Sequence, residues 1–283
     1  MTIVVSSFYK YTRLDNAASF VDIHQGFCND LGIKGKVLIS SEGINGTVSG
    51  TKEQINTYEE TLSNNGFFSG MLFKRNFADK HPFKKTIVRL RNEIVTSRFN
   101  VNLNNSAPYI SPLELKDLLD NNRDVILLDA RNNYESRIGK FKNAITPNIE
   151  TFRDFGKVPD QIKDLKNKKI ITYCTGGVRC EKASALLVEN GFKHVLQLKD
   201  GILNFVEQFP DTHFEGRCFV FDNRLSIPTG KNTQEISVCE HCHIPSGRYI
   251  NCANIKCDKL FLCCEECDVK FNHSCGKKCI NNT

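Results

Sequence analysis

A thiol at the junction of a buried strand and a helix constrains this chain more than any other feature. Residues 169–192 read KIITYCTGGVRCEKASALLVENGF. Ile170-Ile171-Thr172 is a β-branched run that predicts a buried strand. The chain then turns through Cys174, Thr175, Gly176, Gly177, Val178 and Arg179 into a helix with Ala183, Leu186 and Leu187 on one side. Loop amides and a helix N-terminus both favour negative charge there, and such settings lower a thiol pKa from about 8.5. Cys174 is therefore a candidate thiolate nucleophile, or the carrier of an anionic persulfide. Any strand-end cysteine can simply be packed core. Here two glycines and an arginine lie within five residues of the thiol and favour the reactive reading. Gly176 and Gly177 let amides converge on the sulfur. Arg179 helps keep it ionised, or pairs with Asp129 or Glu181, or both. Cys180, six residues on, is a candidate resolving thiol or a buried helix residue.

Alternating strands and helices extend over residues 108–212. Ser111-Pro112-Leu113-Glu114 starts a helix with a cap, a proline and a box glutamate. Residues 125–131 are an apolar strand ending in charge, and His194 to Leu198 is another, ending at Asp200-Gly201. Such runs predict a parallel sheet buried on both faces, in which ligands bind beyond the carboxyl ends of strands. Asp129, Cys174 and Asp200 occupy those ends, and Asp129 and Arg131 are candidate supporting residues.

Residues 1–98 follow the β-α-β-β-α-β order of a ferredoxin-like sandwich. Helices are expected over 15–31, with Ala17, Phe20, Ile23, Phe27 and Leu31 on one face, and over 51–62, where Thr51 and Gln54 approximate a capping box. Gly43 to Gly46 reads as a turn before a short strand at 47–49, and 71–77 and 86–95 read as further strands. The asparagine-rich stretch 99–107 reads as a linker, and 213–238 as a connector that packs back on the body.

Between Lys74 and Arg98, Lys74, Arg75, Lys80, Lys84, Lys85, Arg89, Arg91 and Arg98 face only Asp79 and Glu93; this excess equals the net charge of the whole chain, +6. Arg89 and Arg91 share a strand face, with Phe77, His81 and Phe83 nearby. Phosphate neutralisation and base stacking on such a surface suit single-stranded or loop RNA, which makes Lys74, Arg75, Lys84, Lys85, Arg89 and Arg91 candidate RNA contacts. A solvated sheet face is the plainer alternative.

Nine of the 13 cysteines fall in the module 239–283. Cys239/Cys242, Cys252/Cys257, Cys264/Cys267 and Cys275/Cys279 are spaced as thiolate pairs, with Cys263 spare or a substitute. They predict two structural zinc sites. A cross-braced pattern joins the first pair to the third and the second to the fourth. His241, His243 and His273 are alternative ligands, and an iron–sulfur cluster is the minority reading. The tail has few apolar residues, so metal is expected to supply its folding energy. No apolar run approaches the ~18 residues of a membrane span, and no leader pattern opens the sequence; a cytoplasmic, non-membrane protein is expected. No dinucleotide fingerprint, P-loop or two-histidine iron motif is present.

The run YCTGGVRCEKASALL resembles the active loop of rhodanese-homology domains, with Asp129-Ala130-Arg131 and Asp200-Gly201-Ile202 as flanking motifs. SEGINGTVSG at 41–50, HPF at 81–83, NEIVT at 92–96 and FEGRCFVFDNR at 214–224 resemble the bacterial tRNA uridine hydroxylase family that carries a rhodanese domain. That resemblance implies an acylphosphatase-like N-terminal sandwich and oxygen-dependent 5-hydroxylation of the wobble uridine in tRNA. Molecular oxygen would be co-substrate, the electron donor is not implied, and the family's persulfide-bearing cysteine maps onto Cys174. The loop is shorter than in cysteine phosphatases of the related fold, which favours sulfur or redox chemistry over phosphate hydrolysis. The competing readings are a sulfurtransferase carrying a persulfide on Cys174, and a non-catalytic RNA-binding protein with a zinc tail.

Overall fold

The computed structural model describes residues 2–280. Met1 and residues 281–283, the outer ends of the first and last expected segments, lie outside the described residues. The N-terminal unit contains β1 (Ile3–Tyr11), α1 (Ala17–Asp30), β2 (Lys34–Ser40), β3 (Gly43–Gly50), α2 (Lys52–Ser63), β4 (Phe73–Ala78) and β5 (Thr86–Leu90), with sheet order β4-β1-β3-β2-β5. The first four strands are the expected ferredoxin-like sheet. β5 goes beyond that pattern, ends before the predicted Val95, and pairs parallel to β2.

Two local expectations are corrected. Residues 43–46 are strand, because β3 is central and pairs with both β1 and β2. Gly46 there serves close approach: a Cβ would lie 2.9 Å from the Phe8 ring. On α1, Ile23 is 67% exposed, while His24 and Cys28 are buried. His24 reaches the Tyr58 hydroxyl at 2.9 Å, which satisfies a polar group inside the core. The capping boxes expected at Thr51/Gln54 and Ser111/Glu114 are both formed.

The central unit carries β6 (Tyr109–Ile110), α3 (Pro112–Asp120), β7 (Ile126–Asp129), α4 (Asn133–Ile138), β8 (Gly139–Phe141), α5 (Val158–Gln161), β9 (Lys169–Tyr173), α6 (Val178–Glu189), β10 (His194–Leu198) and α7 (Gly201–Gln208). Its sheet is parallel in the order β6-β10-β9-β7. Ile170 and Ile171 are both fully buried and belong to two different cores, one on each face of the sheet. Strand side chains alternate between faces, so an unbroken apolar run is what this position requires. The stretch 99–107 packs onto α6: the Asn102 amide donates to Glu189 and the Ser106 hydroxyl to the Glu181 carbonyl.

The chain then returns over the body through β11 (Phe214–Gly216), which pairs with β8, and through β12 (Cys218–Phe219) and β13 (Ser226–Ile227). The cysteine-rich tail has a hairpin of β14 (Tyr249–Asn251) and β15 (Leu260–Leu262), followed by α8 (Glu265–Lys270). It rests on α4: Ile138, Phe219, Tyr249 and Leu262 form one buried cluster, and the Tyr249 hydroxyl donates to the Tyr134 carbonyl at 2.9 Å. Among the described residues, no helix is long and apolar enough to cross a membrane.

Candidate active site and metal clusters

Cys174 directly follows β9, and α6 begins four residues later at Val178. Gly177 bends the loop with a φ of +97°, a region glycine enters without steric cost. Its amide donates to Cys174 Sγ at 3.1 Å. Burial pushes the Cys174 thiol up. A hydrogen bond from the Cys180 thiol, the Arg179 charge and the amides of Arg179 and Gly177 outweigh that and hold it below the ordinary thiol value. The Cys180 thiol is pushed up, first by its own burial and then by its anionic neighbour. The first turn of α7 braces the loop from below: the amides of Ile202 and Leu203 donate to the carbonyls of Cys174 and Thr175. Gly201, at φ +70°, leaves no room for a Cβ against the Cys174 carbonyl.

Arg179 does not pair with Asp129 or Glu181. It makes a bidentate pair with Glu135 of α4, at 2.5 and 2.7 Å, and the Thr175 hydroxyl donates to the same carboxylate at 3.2 Å. Glu135 is fully buried. Burial alone would raise its carboxyl, and the guanidinium beside it holds it below the ordinary range. Glu181 instead accepts from the Tyr9 hydroxyl at 3.2 Å, from the Tyr109 hydroxyl, and from the Gln197 amide at 3.1 Å. Asp129 and Arg131 form a separate buried pair at 2.7 Å, with Arg131 also donating to the Gly139 carbonyl; neither lines the cavity over the thiol.

The N-terminal sheet covers this loop. Tyr11 donates to the Val178 carbonyl at 3.2 Å. Lys182 of α6 pairs with Glu42 at 3.0 Å and Glu93 at 2.9 Å. Lys74, read from the sequence as an RNA contact, is buried: its Nζ donates to the Gly176 carbonyl at 2.8 Å and pairs with Asp200 at 3.1 Å. Arg75 is tied to Glu59 and Asn56. Lys84, Lys85, Arg89 and Arg91 are exposed.

Sheet and loop enclose a cavity of about 390 Å³. Cys174, Thr175, Gly176, Val178 and Arg179 form its floor, and Ser7, Tyr9, Asn45 and Lys74 belong to its roof. Its walls include Arg153 and, from the connector, Phe221 and Arg224. The guanidinium of Arg179 lies 5.5 Å from the Phe221 ring, within cation–π range. Sequence reasoning missed Glu135, Tyr9, Tyr11 and this wall. The alternation of Ser7, Tyr9 and Tyr11 along one strand face was an available signal.

In the tail, Cys239, Cys242, Cys264 and Cys267 form one cluster and Cys252, Cys257, Cys275 and Cys279 another, each with its sulfurs within 4.8 Å of one another. Both sets can hold a metal ion, in the cross-braced order. Cys263 is buried outside them. His241 stacks on Phe271 with 4.1 Å between ring centroids, and His273 bonds Asp268 at 2.7 Å; neither they nor His243 belong to a cluster.

Residues 3–94 match the UPF0176 acylphosphatase-like domain, 111–208 the rhodanese-like domain and 215–280 the rhodanese C-terminal domain. A tRNA uridine(34) hydroxylase of Bacillus mycoides (strain KBAB4) is 42% identical over 282 residues, spanning 96% of this chain and 87% of the relative. One from Bacillus thuringiensis (strain Al Hakam) is 41% identical over 283 residues, with the same coverage. A solved rhodanese-like domain from Anabaena sp. is 23% identical, with a TM-score of 0.34, covering 38% of this chain and 79% of that one. At 42% identity along nearly its whole length, this chain belongs to the tRNA uridine(34) hydroxylase family.

Proposed function

We propose that this protein hydroxylates C5 of the wobble uridine in tRNA, at the cavity over Cys174. The observation that carries this reading is the shared cavity: an acylphosphatase-like sheet forms its roof and a thiolate-stabilising loop its floor. Exchanging C5–H for C5–OH is a two-electron oxidation of the base; in this reading one atom of dioxygen enters the base and the other leaves as water, taking two electrons and two protons from an external reductant. Cys174 is the reactive thiol. Gly177 N–H and Arg179 keep it anionic, Glu135 orients Arg179, and Thr175, Gly176 and Val178 hold the loop. Cys180, buried on the first turn of the following helix, is the candidate to resolve an oxidised Cys174. Exposed Lys84, Lys85, Arg89 and Arg91 contribute to the tRNA grip. The two four-cysteine clusters suit zinc, whose tetrahedral preference matches four thiolates. The metal would supply folding energy to the tail, with no part in the chemistry. A cytoplasmic location fits a tRNA substrate and unpaired thiols.

The test is nucleoside mass spectrometry of tRNA incubated with the protein, oxygen and a reductant. Wild type is expected to add one oxygen to uridine-34, and Cys174→Ala to abolish the product. Full activity in Cys174→Ala would remove the thiol from the mechanism. The amide on Cys174 Sγ also suits a persulfide, so thiosulfate treatment distinguishes a sulfurtransferase. A sulfur adduct on Cys174 together with sulfur gain by the acceptor would favour that second reading.

A further inference from the structure

Two exposed cations line the cavity. Lys36 is exposed on β2 and Arg153 on the 3-10 helix Phe152–Lys157 that leads into α5, and among the described residues neither makes an ion pair or a side-chain hydrogen bond. They stand on opposite units: Lys36 in the roof, Arg153 in the wall.

The strand register makes the roof directional. Lys74, Ser7, Thr47 and Lys36 are successive cross-strand partners, so they form one row over β4, β1, β3 and β2. Cross-strand partners share a face, with strands about 4.8 Å apart, so the row spans roughly 14 Å. At one end Lys74 is buried against the cysteine loop; at the other Lys36 is free. The middle is polar, with the Ser7 and Thr47 hydroxyls 2.9 Å apart. Arg89 pairs in register with Leu38, two residues from Lys36, so it shares this face and extends the free positive charge onto β5. At the wall, Phe221 is 56% exposed despite its contact with Arg179.

Resting on the functional reading above, we propose that Lys36 and Arg153 hold the phosphates on either side of one unstacked nucleotide, whose base enters the cavity and stacks on Phe221. An RNA strand would run along the roof from the β5 edge, past Lys36, across the cavity mouth to Arg153. Each unit then holds one side of the target nucleotide, and a paired, stacked base cannot reach Cys174. Aromatic stacking is sequence-tolerant, so Phe221 supplies affinity, and the strand-specific cations supply register. The buried Lys74 lines the cavity roof, but its ammonium is held by the Gly176 carbonyl and Asp200, so it takes no phosphate on this path.

The probe is a synthetic anticodon stem-loop RNA, its binding measured by fluorescence anisotropy across a salt series. Lys36→Gln and Arg153→Gln are each expected to weaken binding severalfold without lowering the thermal midpoint. Each should flatten the dependence of log K on log salt by about 0.7, the loss of one single-strand phosphate contact. Phe221→Leu should weaken binding while leaving that slope unchanged. The same sequence closed into a full duplex should bind more weakly than the stem-loop. Unchanged affinity and slope in the Lys36→Gln/Arg153→Gln double variant, or duplex binding as tight as stem-loop binding, would overturn the proposal. Failure of the hydroxylase reading looks different: wild-type protein would bind the stem-loop with the expected slopes and add no oxygen.

Discussion

Lys74 Nζ donates to the Gly176 carbonyl at 2.8 Å, so a side chain of the N-terminal sheet fixes the loop that carries Cys174. The same ammonium pairs with Asp200, whose side chain is 13% exposed. Removing one partner of a buried pair costs about 3–5 kcal/mol, because the other charge is left behind. Lys74→Met keeps the aliphatic stem and deletes the charge. It is expected to lower stability by about 3 kcal/mol in urea unfolding, and to lower kcat by tenfold or more, roughly the effect of 1.4 kcal/mol on the barrier. The tRNA Kd should change little. A weakened Kd with kcat preserved would return Lys74 to the RNA grip.

Arg179 and Glu135 are a second buried pair, and here the charge also serves the thiol. Arg179→Met is expected to destabilise by about 3–5 kcal/mol, since it strands the Glu135 carboxylate. The double variant Arg179→Met/Glu135→Gln removes that stranded charge and should recover part of the loss. In both, the pH midpoint for alkylation of Cys174 by iodoacetamide should rise, because a cation that favours the thiolate has gone. An unmoved midpoint in the double variant would show that the loop amides alone hold the thiolate.

The sign of the pH effect on stability follows from the same depression. The folded thiol lies below its unfolded value of about 8.5, so folding favours the thiolate. That stabilisation is fully present above the unfolded value and is lost as pH falls through the folded one. Cys174→Ala should therefore differ most from wild type in unfolding free energy at alkaline pH, with the gap narrowing as pH falls through the folded value. A gap of constant size from alkaline to acidic pH would place the thiol at its ordinary value.

What the sequence disclosed and what it concealed divide along the range of the interactions. The Cys174 loop was legible because strand, glycine turn and helix are contiguous, and each has a local signature. The cysteine pairing was legible because thiolate pairs two to four residues apart have few other uses. The partner of Arg179 was not, because Glu135 lies 44 residues upstream and looks like an ordinary first-turn glutamate. Lys74 was misread for a related reason. Cation density along residues 74–98 reports how many charges exist, while β4 faces inward at Lys74 and β5 faces solvent at Arg89. Residues 43–46 carry turn chemistry by composition, but two glycines also permit a crowded central strand, and only the pairing with β1 and β2 decides.

Gly201 tests the brace beneath the loop. Its φ of +70° suits glycine, and a Cβ would overlap the Cys174 carbonyl oxygen. Gly201→Ala is expected to cost at least the ~1–3 kcal/mol of a strained backbone position. It should also slow alkylation of Cys174 at fixed pH by displacing the Gly177 amide from the sulfur. Wild-type alkylation with lowered stability would confine the glycine to a folding role.

The cysteine clusters should matter to the active site through α4. That short helix carries Glu135 and, one turn further on, Ile138, which shares a buried cluster with Leu262 of the tail, while the Tyr134 carbonyl accepts from Tyr249. The tail's own cluster consists largely of cysteines with Phe261, too little apolar surface to fold without metal. Stripping the protein with a chelator under reducing conditions is expected to unfold residues beyond Cys239. It should then raise hydrogen exchange in α4 and reduce activity, although no cluster sulfur lines the cavity. Elemental analysis should find two metal ions per chain. Cys239→Ser should lose one, and Cys263→Ser should keep both, since Cys263 lies outside both clusters. If α4 exchange and activity hold steady while the tail unfolds, the metal module is coupled to nothing but itself, and the tail's contact with α4 is only a resting place.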